Sequence, residues 1–200
     1  MMKKFLMMAG LALICGQAWA DTGTDPDWPC IQRKQPHLSL GQVWTGPVPD
    51  EAVQALVSDP AIAGFADRLE QRRLPIADAE TQIAEFAATA SNDQLTALMV
   101  AVFERLDDHR GALIQGISRY GHKQVDLARS IEDRRARMAE MERAESPDFD
   151  AIDAQEAALD WETRIFTDRQ QALTYVCETP VIIEQRAFAL GRVIAAAIQP

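Results

Sequence analysis

Residues 103–141 read FERLDDHRGALIQGISRYGHKQVDLARSIEDRRARMAEM, and the spacing within this stretch decides the fold. Starting at Phe103, alternate steps of three and four reach Leu106, Arg110, Leu113, Ile117, Tyr120, Gln124, Leu127, Ile131, Arg134, Met138 and Met141. Nine of these twelve positions are apolar, and the phase never slips. Such a row runs along one side of an α-helix and requires a second helix to cover it. Gly111, Gly116 and Gly121 lie inside the row. Each costs on the order of 1 kcal/mol against alanine, so they favour a bend near 116–121, whereas a true break would shift the phase. Ser91-Asn92-Asp93-Gln94 is a capping box that opens the element. The helix is expected over about 91–144 and, at 1.5 Å per residue, to be roughly 80 Å long.

The covering helix follows directly. Ser146-Pro147-Asp148 stops the chain and restarts it, with a capping serine, proline at the first helical position and acids beside the positive helix end. Ile152, Leu159, Phe166 and Leu173 then recur every seven residues, flanked by Ala158, Ile165 and Ala172. They predict a return helix over about 148–178. A short connection makes two long helices antiparallel neighbours, so residues 91–178 form a hairpin with a coiled-coil-like seam. Thr179-Pro180 reads as another restart, with a last helix over about 180–198. Its Ala187, Gly191 and Ala195 make a smooth strip for close approach of a neighbour. Upstream, helices are expected over 50–57, over 61–73 and from Pro75 onward. The fold class is all-α: a long antiparallel hairpin on a small helical bundle, with residues 49–200 as a single helical domain.

Residues 21–48 differ. Prolines at 26, 29, 36 and 47 and glycines at 23, 41 and 46 predict an extended arm with turns. Trp28, Leu38, Leu40, Val43 and Trp44 give that arm reason to lie against the helical body. Ahead of it, Lys3 and Lys4, the apolar run Phe5 to Cys15, and Ala18-Trp19-Ala20 have the form of a cleaved signal peptide over 1–20. Ile14 sits where an acylated Cys15 would be preceded by a small residue, which argues against a lipoprotein. Removal of the leader leaves Cys30 and Cys177, an even count in an oxidising compartment, and hence one disulfide. It pins the arm to the end of the return helix. Closing a loop of about 150 residues is worth roughly 5 kcal/mol against the reduced unfolded chain.

The chain carries 20 basic and 30 acidic residues, and the leader holds two of the bases, so the net charge of −10 becomes −12 on cleavage. That balance excludes a nucleic-acid backbone or an anionic membrane surface as partner. No stretch of the mature chain can serve as a membrane anchor, because Val181 to Ile198 is interrupted by Glu184, Arg186 and Arg192.

Catalytic and metal motifs are missing. His37, His109 and His122 belong to no H-E-x-x-H, and C-x-x-C, Glu-x-x-His, G-x-S-x-G and phosphate-loop patterns do not occur. Glu104, Asp107, Asp108 and His109 form the densest set of possible ligands and read as a solvated face linked to Arg105 and Arg110. His122 and Asp126 are an ordinary i, i+4 pair. Arg110, Gln124 and Arg134 interrupt the seam and are read at its margin, their polar heads reaching water. No catalytic residue, metal ligand or cofactor is implied.

The expectation is therefore an exported, soluble, non-enzymatic envelope protein, periplasmic or secreted from a bacterium, that acts as adaptor, scaffold or chaperone-like binder. The alternative is a helical bundle that binds a small molecule or metal as accessory to an enzyme. The outline is similar to that of helical periplasmic holdase chaperones, although a charge of −12 departs from their basic client-binding arms. A protein partner is expected at the hairpin tip, where Met138, Met141 and Phe149 offer an apolar patch beside Arg137, Glu140, Glu142 and Arg143.

Overall fold

The computed structural model describes residue 25 and residues 28–199; the leader expected over 1–20 and most of residues 21–27 lie outside the described residues. Six helices follow in order: α1 (Leu40–Val43), α2 (Glu51–Leu56), α3 (Pro60–Leu69), α4 (Ile76–Ala87), α5 (Asn92–Glu142) and α6 (Phe149–Ala197). The all-α architecture and the long hairpin are as the periodicity predicts. The centre of the base is Leu95 to Val102, where every residue is buried. A helix that is apolar all round must be enclosed, and α2 and α3 pack on α5 while α1 and α4 pack on α6. Phe65 of α3 meets Phe86 of α4 with ring centroids 5.3 Å apart.

The caps act as local chemistry dictates. Ser91 Oγ accepts from the Gln94 N–H at 3.2 Å, and Gln94 Oε1 accepts from the Ser91 N–H at 2.8 Å. Asp50 and Asp59 cap α2 and α3, with Pro60 in the first turn of α3. At the hairpin turn the cap is Asp148 and not Ser146, since Asp148 accepts from the Ala151 N–H at 3.1 Å and α6 begins at Phe149. Across the base, buried Arg186 closes the end of α3: Nε donates to the Leu69 carbonyl at 2.8 Å and Nη1 to the Leu74 carbonyl at 2.9 Å. These carbonyls lie at and just beyond the end of α3, where a cation is favoured. Burial pushes the Arg186 guanidinium pKa down.

Two expectations are corrected. First, α6 does not restart at Thr179-Pro180; it continues to Ala197 with Pro180 inside. Proline leaves the Val176 carbonyl without its helical donor, at about 3 kcal/mol. Burial of Leu173 and Cys177 before it, and of Ile183, Ala187 and Leu190 after it, holds both sides in line. Second, the arm contains a turn of helix, α1, where Ser39 and Gln42 form a capping box. The strip around Gly191 does take a close neighbour, the arm's own α1: a Cβ at 191 would collide with the Val43 carbonyl oxygen at the end of that helix.

The arm is bound covalently as well. Cys30 and Cys177 form a disulfide across 147 residues of sequence. Val43 and Trp44 are buried, and Trp44 Nε1 donates to the Pro47 carbonyl at 2.7 Å. Among the described residues no helix is long and apolar enough to cross a membrane.

Gly191→Ala should displace α1 from α6 and lower stability by about 1–3 kcal/mol, as overpacking does. Thermal unfolding and proteolysis within residues 39–48 measure the two effects. An alanine variant with the parental melting temperature and an equally protected arm would refute the close approach.

Candidate functional site

The hydrophobic core ends well before the hairpin does. Its members lie between Leu40 and Leu113 and between Ile183 and Ile198, with none between 114 and 182. The helices beyond it therefore form a two-helix stalk, about 43 Å long by helix rise. Cross-links fix its antiparallel register: Arg110 lies 3.5 Å from Glu184, Gln124 Nε2 donates to the Phe166 carbonyl at 3.2 Å, and Arg134 pairs with Glu162 at 2.7 Å.

The stalk's seam is rotated from the expected row. Arg110, Ile114, Ile117, Gly121, Gln124 and Ile131 are buried, whereas Leu113, Tyr120, Leu127 and Arg134 are only half-buried. Gly121 is buried in this row but carries no side chain, so it contributes no hydropathy signal to the pattern. α5 passes Gly111, Gly116 and Gly121 as one helix.

Two of the polar interruptions are inside the protein and not at its margin. Arg110 is buried, donating through Nη1 to the Gln35 carbonyl at 2.5 Å, and so fastens the arm as well as Glu184. Gln124 is buried too, with its Oε1 lacking a partner among the described residues. Arg134 is half-buried and bidentate on Glu162, with a further bond to Gln155 Oε1 at 2.9 Å. These bonds push the Arg134 pKa up and hold the Glu162 carboxyl below its ordinary value.

The acidic cluster of α5 is not one solvated face. Asp107 turns to the arm, its carboxylate 2.8 Å from His37 Nδ1 and accepting from the Leu38 N–H at 2.7 Å. Arg105 pairs with Asp67 of α3 and not with the acids beside it, while its Nη1 donates to the Ala101 carbonyl of α5 at 2.9 Å. Glu104, Asp108 and His109 are exposed. No group of three or more His, Cys, Asp or Glu placed to hold a metal ion occurs among the described residues. Gly111 makes room for the arm here, with the Pro36 carbonyl and the His37 ring each 3.3 Å from where its Cβ would stand.

At the tip, Met138 and Met141 are half-buried at the end of the seam, and Phe149 is 72% exposed. The three therefore divide: the methionines contribute to packing, while the phenylalanine faces solvent. Farther along α6, Trp161 and Tyr175 are exposed at 61% and 75%. A cleft of about 370 Å³ adjoins the disulfide, lined by arm residues Pro29 to Gln32 and by Leu173 and Thr174 of α6. Comparison with protein-family models, curated proteins and solved structures finds no match to this chain.

Two outcomes follow from these contacts. Asp107→Asn should loosen the arm, because it removes the charged acceptor shared by His37 and Leu38, at about 1–3 kcal/mol; Glu104→Gln should change stability by less than about 0.5 kcal/mol. Amide exchange at residues 36–40 would distinguish them, and equal protection in both variants would dismiss Asp107 as the anchor. Glu162 has a folded pKa below its unfolded one, so its contribution is present above the unfolded value and lost as pH falls through the folded value. Stalk amides of the parent should then lose protection on acidification more steeply than those of Glu162→Gln, and parallel acid profiles would contradict the linkage.

Proposed function

We propose that this chain is an exported, non-enzymatic interaction protein of the bacterial envelope, an adaptor or scaffold that holds a protein partner at the far end of its hairpin. The observation that carries this reading is the stalk itself. Two helices continue about 43 Å past the last core residue, although a bare helical pair gains little burial for the residues it orders. An element of that length set apart from the core suits contact at a distance from the base.

Other features agree with it. The disulfide suits an oxidising compartment, as does the leader-like sequence Met1 to Ala20. Phe149, the most exposed aromatic near the turn, provides an apolar anchor. Charged Arg137, Glu140, Glu142 and Arg143 around the turn are exposed, so the patch has a polar rim.

Removing one heptad from each hairpin helix tests the proposal, because folding and binding should separate. The shortened protein is expected to keep its disulfide and its cooperative melt while losing its partner. Photo-crosslinking in intact cells supplies the readout, with the reactive group at Phe149 and, as comparison, at exposed Glu104 on the base. A discrete adduct from 149 that vanishes on shortening is the expected result. Equal adducts from both sites, or retention after shortening, would place the contact elsewhere.

A further inference from the structure

The first turns of α6 are acidic out of proportion to the rest of the chain. Residues 144–163 hold seven acids and no base, a net −7 against −10 for all 200 residues. Part of that charge holds the fold together, since Asp148 caps the helix and Glu162 is gripped by Arg134. Asp150, Asp153, Glu156 and Asp160 have no such task. All four are exposed and make no hydrogen bond or ion pair among the described residues.

These acids lie on the outer side of the stalk. Steps of three and four from Asp150 reach Asp153, Ala157 and Asp160, opposite the seam residues Ile152, Leu159 and Phe166. Arg164, the next residue on that side, is the first base. Two exposed aromatic side chains, Phe149 and Trp161, stand beside the ends of the row, about 18 Å apart by helix rise. Ala157 between them adds no bulk. The carboxylates are strung along about 15 Å, and no three such groups are placed to hold a metal ion among the described residues.

We propose that this face seats a cationic, amphipathic segment of the partner protein, with Lys or Arg side chains over the four free carboxylates and apolar side chains against Phe149 and Trp161. Charge complementarity selects the occupant. A second copy of this acidic chain brings net repulsion to a face that holds only acids, and an anionic polymer or membrane surface brings more. A small cation or polyamine would answer the carboxylates and leave both aromatic rings in water. A segment with both kinds of side chain covers both, and an arginine over the Trp161 ring gains a cation–π contact as well.

This occupant deepens the tip contact proposed above and depends on it. Phe149 is common to both, and the acids specify the kind of partner that Phe149 meets. Exposed ion pairs are individually weak and steer association more than they hold it, so the contact is reversible and sensitive to salt.

Fluorescence anisotropy with a labelled peptide of about 18 residues, Leu and Lys at helical spacing, tests the seat, and the same peptide with Glu for Lys is the comparison. The disulfide-bonded protein should bind the Lys peptide at about 50 mM salt, release it towards about 500 mM, and ignore the Glu peptide. The triple variant Asp153→Asn, Glu156→Gln, Asp160→Asn should bind about tenfold more weakly, and Trp161→Ala should lose about as much. Glu80→Gln, Glu85→Gln, Glu104→Gln removes the same charge from exposed positions of the base. It should bind within about twofold of the parent, because distant exposed charges are screened. Equal weakening in the two triple variants would reduce the effect to net charge and overturn the seat, as would binding of both peptides or of neither. Self-association of the peptide-free protein that Trp161→Ala abolishes would give the face to a second copy instead. In intact cells, the adduct from position 149 should vanish when Asp153, Glu156 and Asp160 are neutralised. An adduct that persists there leaves the tip contact standing and overturns the cationic occupant alone, whereas no adduct even from the parent overturns both.

Discussion

The α5–α6 seam is the constraint on which the other contacts depend. Arg110, Ile114, Ile117, Gly121, Gln124 and Ile131 place one buried row against α6. That row fixes where every α6 residue stands. It brings Arg186 to the end of α3, Gly191 under the arm, and Cys177 to Cys30. A slip of one helical turn, about 5.4 Å, would separate all three at once. Buried Gln124 and the Arg134–Glu162 pair make such a slip costly, because each would lose its partner on the facing helix.

Much of this architecture is legible in the residues. Phase gave the hairpin, since twelve positions without a slip admit few alternatives, and the Ser91 capping box gave the start of α5. The disulfide was legible from the two cysteines, Cys30 and Cys177, that follow the leader-like segment. The rotation of the seam was not, because the missing signal is a missing side chain: Gly121 is buried where the hydropathy pattern favours Leu113, Tyr120 and Leu127. The run from Leu95 to Val102 did carry a signal for a fully enclosed helix, since eight residues there contain Thr96 as their lone polar side chain. Pro180 misleads for a general reason. A local breaking tendency of a few kcal/mol is outweighed when both flanks are packed.

Long-range polar contacts were the least legible. Asp107 and Arg110 look like members of one charged helix face, and intrahelical pairing is the natural expectation at that spacing. Instead both serve the arm, which is more than sixty residues away in sequence. The reason lies in the unmet backbone groups of an extended segment. Leu38 N–H and the Gln35 carbonyl have no helix to satisfy them, so α5 supplies a carboxylate and a guanidinium. Apolar periodicity places the helices; it is silent about what an irregular segment needs from them. Phe149 and Met141 illustrate the same limit at the tip, where sequence proximity to the turn cannot separate the half-buried side chain from the exposed one.

The strap around the base also shapes the order in which the molecule can be completed. A chain is made from its N-terminus, so Cys30 must wait through 147 further residues for its partner. Gly191, the seat for Val43, is made later still, and Asn92 finds the Gln199 carbonyl only after 107 further residues. Local contacts let helices form early, but closure is deferred until these distant partners have been made, as in folds with distant pairings. Until then Val43 and Trp44 have nowhere to hide from water. The arm is thus made long before the residues that secure it, which leaves the nascent protein exposed to misassembly in the interval.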